Sequence, residues 1–466
     1  MYNVRDYGAA GVASETRELA LTNFVMKWIR YEPGTMAVIR HPQAGAVLDS
    51  AGIQAAIDAA HAVGGGTVVV PAGDYAVGPM RLRGGVRLHL EPGARLWASP
   101  RLEDYAEQTH LLLAEDAEHV ALTGMGEIHG QSPNWIIPWM NEKPTEWGSL
   151  KGRRPGKMLL FKGCRHVVVE GVRIYDSPGW TLVFNNCRHV AVRGVFMHHF
   201  DVINADGIDV VDSQHVTIAD CDLHVTDDGI CLKTDATQPD PPGVRNVTVT
   251  NCIIRTWCNG VKIGTESSGR FENIAFSNIV VHNSENDLKG AEGGIHIALC
   301  DGGHARNVAF RNFVIDNVEC PFYLVVTPRR SRQQAYRTPR PGTIERVVIS
   351  GVQADGFRCT PFIVGCPTSP VRDVTLADIH LRRTGGFEAG PRPEPVPPSD
   401  QQYPTPYMFA TTEGGRRDLG DGLPAHGLYT RDVQGLRIRE FEVDCAEPDG
   451  RPCVVHAAGS EEKITP

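Results

Sequence analysis

The sequence predicts an all-β fold, a single-stranded parallel β-helix with an N-terminal capping helix, and three observations support this prediction. A short motif, a polar residue followed by an apolar-x-apolar triplet, recurs along most of the chain, and most copies begin about 23 to 39 residues apart. The alternation within each copy is that of a strand with one buried face. Gly (49 residues) and Pro (32 residues) are enriched, as expected of many short strands joined by turns.

The copies of the motif favour a β-helix over other repeat folds. Leucine-rich repeats would show a fixed Leu/Asn consensus, and propeller blades would need about four strands per copy. Here we count two or three short strands per copy, which suits coils that stack one on the next. In chain order the copies begin at His119, His166, His189, His215, Asn246, Asn273, Asn307, Arg346, Asp373 and Gly435.

A helix over residues 50–63 is predicted to cap the first coil, because an uncovered strand edge invites aggregation. Asp49 and Ser50 provide the N-cap, and Gly64-Gly65-Gly66 ends the helix. The apolar residues at helical spacing are Ile53, Ala56, Ile57 and Ala60.

The predicted organisation is an N-terminal segment, residues 1–45, followed by a parallel β-helix catalytic domain, residues 46–466. Within the first segment, residues 14–29 are expected to form a second amphipathic helix, with Leu19, Phe24, Val25, Trp28 and Ile29 on its apolar face. Residues 385–425 are rich in Pro, Gly and charge and break the repeat. We expect them to form either a long loop insertion folded over a groove or a partly disordered segment.

Composition excludes several classes of protein. The net charge of −9 argues against a nucleic-acid partner, and no apolar run approaches the roughly 18 residues of a membrane span. The chain opens on polar sequence without an apolar signal core, which predicts a cytoplasmic location. Cys164, Cys187, Cys221 and Cys252 adjoin the recurring triplets, so we expect buried free thiols, with no metal and no cofactor.

Two acidic elements lie about one repeat apart and carry the functional prediction. They read Asn204-Ala205-Asp206-Gly207 and Asp227-Asp228-Gly229. Carboxylates on adjacent coils lie about 5 Å apart, and like charges that close keep one group protonated. A protonated acid beside an ionised base is what glycosidic cleavage requires. Polar turns without chemistry are the simpler interpretation of each element taken alone, and a calcium site ranks second to catalysis.

Four ordered motifs resemble glycoside hydrolase family 28, the polygalacturonases and their relatives. They are Gly126-Glu127-Ile128-His129-Gly130 followed by Trp135, then Ser177-Pro178-Gly179-Trp180-Thr181, and the two acidic elements. The resemblance implies a right-handed parallel β-helix and an oligo- or polysaccharide substrate. It assigns Asp227 as the general acid and assigns Asp206 and Asp228 to the attacking water. It also implies inversion, which corresponds to carboxyl groups roughly 6.5–9.5 Å apart.

The chain departs from the family at two places. Asn259 replaces a supporting His, and Ile295-His296-Ile297-Ala298 replaces the Arg-Ile-Lys that holds a galacturonate carboxylate. Lys262 or an arginine from residues 329–332 would substitute for that clamp; a solvated basic loop and a neutral sugar are the alternatives. His296 is more often a structural than a catalytic residue. The predicted substrate contacts are Asn204, Asn259, Lys262, His296, Trp135 and Arg330.

Four tryptophans were compared as sugar-stacking residues. Trp135 and Trp139 are expected in a loop and are preferred over Trp147, whereas Trp180 is expected in the core. Loops that wall off a groove favour exo action. Two other functions stay open, a uronate lyase or epimerase and a carbohydrate-binding β-helix without activity. The oligomeric state is not predicted.

Overall fold

The chain consists of two compact units, which we call the N-terminal and the C-terminal unit. The first comprises Met1–Asp209 and His215–Asp227, and the second comprises Val210–Gln214 and Asp228–Pro466. The structure is a computed structural model. It describes residues 1–12, 15–22, 34, 36–41, 47–142, 150, 152–199, 204–234, 241–283, 291–329, 340–388, 404–409 and 422–462.

Short strands dominate the chain up to residue 227. The helices there are α1 (Ser50–Ala62) and α2 (Pro133–Asn141), with 3-10 helices at Val4–Tyr7 and Leu102–Tyr105. The strands are β1 Tyr2–Asn3, β2 Glu15–Ala20, β3 Met36–His41, β4 Gly66–Val70, β5 Gly73–Val77, β6 Met80–Leu82, β7 Val86–Leu90, β8 Ala94–Ala98, β9 Leu112–Glu115, β10 Glu118–Gly124, β11 Glu127–His129, β12 Leu159–Lys162, β13 Arg165–Glu170, β14 Arg173–Tyr175, β15 Leu182–Asn185, β16 Arg188–Arg193, β17 Phe196–His198, β18 Ile208–Val211, β19 Gln214–Ala219 and β20 Asp222–His224.

Most strands after residue 228 are longer than those before it. They are β21 Ile230–Thr234, β22 Val244–Arg255, β23 Asn259–Ser267, β24 Arg270–His282, β25 Ala291–Leu299, β26 His304–Asp316, β27 Val318–Val326, β28 Thr343–Phe357, β29 Phe362–Val364, β30 Val371–Gly385, β31 Leu428–Arg431, β32 Val433–Glu447, β33 Val454–His456 and β34 Glu461–Glu462.

Pairing between successive coils is parallel in both units. In the N-terminal unit β7, β10, β13 and β16 pair in order, and β6, β9, β12 and β15 form a second row. In the C-terminal unit one row runs from β22 through every second strand to β32, and the other from β21 to β33. These rows are the stacked coils that the repeat predicts.

The motif sets the local geometry of each coil. Its apolar residues are buried in register, as Val167 and Val169 of β13 are opposite Val190 and Val192 of β16. Its polar first residue has left-handed backbone geometry, with φ of 56° at His166. Stacking at that position makes a histidine ladder (His119, His166, His189, His215) and an asparagine ladder (Asn246, Asn273, Asn307).

Helix α1 is the predicted N-terminal cap. Ile53, Ala56, Ile57 and Ala60 are fully buried, and the helix packs on β4 and β6. Asp49 occupies the N-cap position, but its side chain does not bond to the helix. Its carboxylate accepts hydrogen bonds from the backbone N–H groups of Ala10, Gly11 and Ala76 instead. The carboxylate of Asp49 therefore also links residues 10–11 to the first coils by hydrogen bonds.

The amphipathic helix expected at residues 14–29 is wrong over residues 15–20. These residues form β2, which pairs antiparallel with β3. Leu19 is buried with Ala37 and Ile39 of β3 and with Ile137 of α2. The pairing with β3 thus makes residues 15–20 a strand, although their apolar spacing alone suggested a helix. Residues 23–33 lie outside the described residues.

The fold also bears on the predictions for the cysteines, for the insertion at 385–425 and for membrane spans. Cys164, Cys187, Cys221 and Cys252 are buried free thiols, as predicted. The insertion at 385–425 lies mostly outside the described residues, but Phe409 packs edge-on against Phe362, 5.1 Å between ring centroids. Of the helices in the described part of the chain, neither has the length and apolar character needed to cross a bilayer.

Candidate active site

Asp206 and Asp227 belong to the N-terminal unit, and each lies two or three residues before the start of a strand. Asp206 lies two residues before β18, is buried, and its carbonyl accepts a hydrogen bond from the Thr181 backbone N–H at 3.0 Å. Asp227 precedes β21 and is half-buried. Asn204, with φ of 58°, donates its amide to the Asp227 carboxylate at 3.4 Å. The Asn-x-Asp-Gly element therefore contributes Asp206 itself and, through Asn204, a hydrogen bond to the carboxylate of Asp227.

Arg154 is a charged neighbour that the motifs did not predict. Its guanidinium is half-buried, and burial lowers its pKa to about 10, while the charges of Asp206 and Asp227 favour its protonated form. At neutral pH it is therefore a cation within electrostatic reach of both carboxylates. The available signal in the sequence was the basic run at 151–157, which reads Lys-Gly-Arg-Arg-Pro-Gly-Lys.

Asp228 belongs to the C-terminal unit and is held as an anion. Asn259 donates its amide to Oδ1 at 2.8 Å, and Lys262 donates its ammonium to Oδ2 at 2.8 Å. Burial favours the neutral acid, but the charges of Lys262 and Lys233 and these hydrogen bonds outweigh it and lower the pKa of Asp228 well below its usual range. The ammonium beside Oδ2 disfavours calcium at this carboxylate.

Asn259 is fixed in turn by Tyr323. The Tyr323 hydroxyl donates to Asn259 Oδ1 at 2.7 Å, which orients the amide nitrogen toward Asp228. Tyr323 lies two coils further along, in β27, and is fully buried. Asn259 and Lys262, predicted as substrate contacts, therefore both contact Asp228.

His296, at the position of the missing clamp, is a buried neutral imidazole. Its Nδ1 donates to the Tyr323 carbonyl at 3.1 Å, and the two rings stack at 3.8 Å. Burial, followed by the charge of Lys262, lowers the pKa of His296 to about 3. Its Nε2 has no hydrogen-bond partner among the described residues. It therefore carries no positive charge for a sugar carboxylate.

Arg329 is neither solvated nor available as a clamp. Its side chain is fully buried and lies against Asp301, whose Oδ1 accepts from Nε at 2.9 Å, and against Glu266 at 3.3 Å. Burial opposes its charge, but Asp301 and Glu266 outweigh burial and raise the pKa of Arg329. The expectation of a solvated basic loop is wrong for this residue. Arg330 and Arg332 lie outside the described residues.

The expectations for the tryptophans are reversed. Trp135 and Trp139 lie in α2 and are 8% and 2% exposed, so neither offers an open face to a sugar. Pro133 suggested a loop, but proline fits the first turn of a helix. Trp180, expected in the core, is half-buried, and Lys157 Nζ lies 4.9 Å from its ring centroid. Trp147 lies outside the described residues.

Comparison with known proteins identifies the family. The model of glycosyl hydrolases family 28 matches residues 62–390. A probable polygalacturonase from Arabidopsis thaliana is 28% identical over 254 residues, which are 48% of this chain and 53% of that protein. This chain thus spans about half the length of the curated relatives it matches.

Solved structures agree on the fold. A hyperthermoactive exopolygalacturonase from Thermotoga maritima superposes with a TM-score of 0.63 at 22% identity, over 82% of this chain and 86% of that one. A family 28 exopolygalacturonase from Yersinia enterocolitica gives 0.63 at 17% identity, over 97% and 79%. The right-handed parallel β-helix is confirmed, and the chain belongs to glycosyl hydrolases family 28.

Proposed function

We propose that this protein is an inverting glycoside hydrolase that cleaves α-glycosidic bonds in pectic or related oligo- or polysaccharides, as polygalacturonases do, from a chain end. The observation that carries the proposal is the family match over residues 62–390, which contains all three candidate aspartates. The ionised state of Asp228 and the partial exposure of Asp227 add support.

The three carboxyl groups divide the reaction between them. Asp227 gives its proton to the glycosidic oxygen as the bond from that oxygen to the anomeric carbon breaks. Water attacks the anomeric carbon from the opposite face and loses its proton to a carboxylate, so the configuration inverts. Asp228 is a weak proton acceptor because its pKa is low; we therefore assign the proton to Asp206 and the orientation of the water to Asp228.

The support for exo action is that two similar solved structures, from Thermotoga maritima and Yersinia enterocolitica, are exopolygalacturonases. An exo-acting enzyme binds a chain end rather than the chain interior. Release of monomers from the first turnover is the expected signature.

Product analysis tests the reaction. Galacturonan, rhamnogalacturonan and neutral oligosaccharides are incubated with the protein, and new reducing ends, ultraviolet absorbance, product length and anomeric configuration by NMR are followed. New reducing ends of inverted configuration support the proposal. An unsaturated product would instead identify a uronate lyase, and a retained configuration would contradict the inverting mechanism.

The Asp227→Asn variant tests the assignment of the acid. Turnover should fall by roughly 10² to 10⁴, the usual contribution of general acid catalysis, with binding of the oligosaccharide largely kept. Asp222→Asn is the matched control, because Asp222 is exposed on β20 and the charge change is the same. Unchanged turnover in Asp227→Asn would remove Asp227 from the mechanism.

A further inference from the structure

The positive groups that the sequence offered for a sugar carboxylate in the C-terminal unit are committed elsewhere. Lys262 donates to Asp228, and Arg329 lies between Asp301 and Glu266. His296 is neutral at any pH above its pKa of about 3. Binding an acidic sugar through Lys262 or Arg329 would require breaking a buried ion pair.

The N-terminal unit presents a second set of cations on residues 152–158. Lys157 lies over the half-buried ring of Trp180. Backbone hydrogen bonds hold the segment, since the Gly156 N–H donates to the Thr109 carbonyl at 2.8 Å and His110 Nδ1 donates to the Lys157 carbonyl at 2.8 Å. The cation and the ring are therefore held by ordered backbone.

The same segment leads to the coil of Asp206. The Met158 N–H donates to the Trp180 carbonyl at 2.8 Å, and the Thr181 N–H donates to the Asp206 carbonyl at 3.0 Å. Trp180 thus lies one coil before Asp206. Arg154, from the same run, interacts electrostatically with Asp206 and Asp227.

We propose that Arg154, Lys157 and Trp180 form a subsite that binds a uronate residue beside Asp206 and Asp227, with the carboxylate on the two cations and the Trp180 ring holding Lys157 in place. This inference rests on the proposed function and names the substrate's charged group. A guanidinium binds a carboxylate through two parallel hydrogen bonds, and its partial burial strengthens them.

Discrimination between an acidic and a neutral substrate tests the subsite. Galacturonate oligomers and the same oligomers with their carboxyl groups reduced to alcohols are compared by kcat/KM. Arg154→Gln and Lys157→Gln should each lower the ratio of kcat/KM for the acidic oligomer to kcat/KM for the reduced oligomer about tenfold or more, the loss expected for one charge-assisted hydrogen bond. Arg154→Lys, which keeps the charge, should retain part of the discrimination.

Lys162→Gln is the matched control, because Lys162 is an exposed lysine paired with Glu115 and its loss changes the net charge equally. It should leave both substrates unaffected. Thermal melting of every variant identifies loss of folding, which would lower both rates together. A wild-type preference for the reduced oligomer, or an equal loss on both oligomers in folded variants, overturns the subsite.

A binding measurement separates this inference from the proposed function. Calorimetry with an uncleaved galacturonate oligomer and the Asp227→Asn protein as parent needs no turnover. Affinity should fall about tenfold on adding Arg154→Gln and not on adding Lys162→Gln. Absence of hydrolysis by the wild type with this binding pattern intact would reject the hydrolase alone, and binding that is absent or insensitive to Arg154 would reject the subsite.

Discussion

The two units have different side chains at the same left-handed backbone position. Both place a polar residue with φ near 56° at the start of each motif, as at His166 and Asn307. In the N-terminal unit the exposed imidazoles stack at 4.8 to 4.9 Å. In the C-terminal unit Asn273 donates to Asn246 at 3.1 Å and accepts from Asn307 at 3.0 Å. One ladder therefore consists of ionisable imidazoles and the other of neutral amides.

The two units also differ in how deeply these charged side chains are buried. Arg154 of the N-terminal unit is half-buried, and pairs such as Lys162 with Glu115 are exposed. In the C-terminal unit the ion pairs of Lys262 and Arg329 are enclosed. We infer that these buried ion pairs of the C-terminal unit are shielded from salt, whereas the exposed pairs of the N-terminal unit respond to it.

The largest expected effect comes from breaking a buried ion pair. Arg329→Met leaves the carboxylate of Asp301, 5% exposed, without its cation and should lower the free energy of unfolding by about 3–5 kcal/mol. Lys162→Met, which breaks an exposed pair, should change it by less than about 1 kcal/mol. Urea denaturation of both variants checks the difference, and equal losses would contradict the contrast between the units.

Next in size is the loss of one buried tyrosine hydroxyl. Tyr323→Phe leaves Asn259 Oδ1 without its donor and should cost about 1–3 kcal/mol. Tyr105→Phe is the matched variant in the N-terminal unit, since its buried hydroxyl donates to the Ser99 carbonyl at 3.1 Å. Thermal melting should show similar losses. Only Tyr323→Phe should also lower kcat, because Asn259 then no longer holds Asp228; a kcat unchanged in both would remove Tyr323 from the support of Asp228.

A smaller effect is expected within the asparagine ladder. Asn273→Ala removes two side-chain hydrogen bonds and puts alanine at a φ of 58°, so we expect a loss of about 1–2 kcal/mol. Asn273→Gly keeps the backbone relaxed and isolates the hydrogen bonds. Urea denaturation measures both variants, and a glycine variant as unstable as the alanine variant would exclude backbone strain as a cause.

The smallest expected effect is the pH response of the histidine ladder. The pKa of His189 lies below its ordinary value because neighbouring rings displace water and because His166, His215 and Arg188 add positive charge. The unfolded chain therefore binds protons more readily, and stability that is present above pH of about 6.5 is lost as the pH falls toward the folded pKa.

The double variant His166→Asn/His189→Asn isolates that response. Its melting temperature between pH 8 and pH 5 should fall less than that of the wild type. The buried His199, with a pKa of about 3 owing to burial, and His296 add an acid response common to both proteins, which the comparison cancels. Parallel curves for the two proteins would show that the ladder does not contribute.

Sequence predicted the features that repeat and missed those that depend on a single distant contact. The polar residue and the apolar-x-apolar triplet predicted ten strands between β10 and β32, because each coil obeys the same steric rule. Strands β2 and β3 were missed because their pairing is nonlocal. Helix α2 was missed because Pro133 and Pro138 are typical of loops.

At the candidate site the motifs predicted catalytic and substrate-binding residues but not what those side chains contact. Asn259 and Lys262 were predicted to face the substrate, and they bind Asp228. Arg154 belongs to no motif, and its proximity to Asp206 and Asp227 arises from a long connection between β11 and β12. Spacing along a repeat carries no information about such connections.

Hydrogen bonding along the asparagine ladder bears on how many coils the C-terminal unit can contain. Asn273, the inner of the three rungs, gives one amide bond to Asn246 before it and takes one from Asn307 after it, so it presents a donor to one neighbour and an acceptor to the other. Duplicating or deleting an entire turn between Asn246 and Asn307 would leave the remaining rungs matched, whereas a shift of one residue would mismatch all that follow. The C-terminal unit is thereby suited to grow or shrink by whole turns.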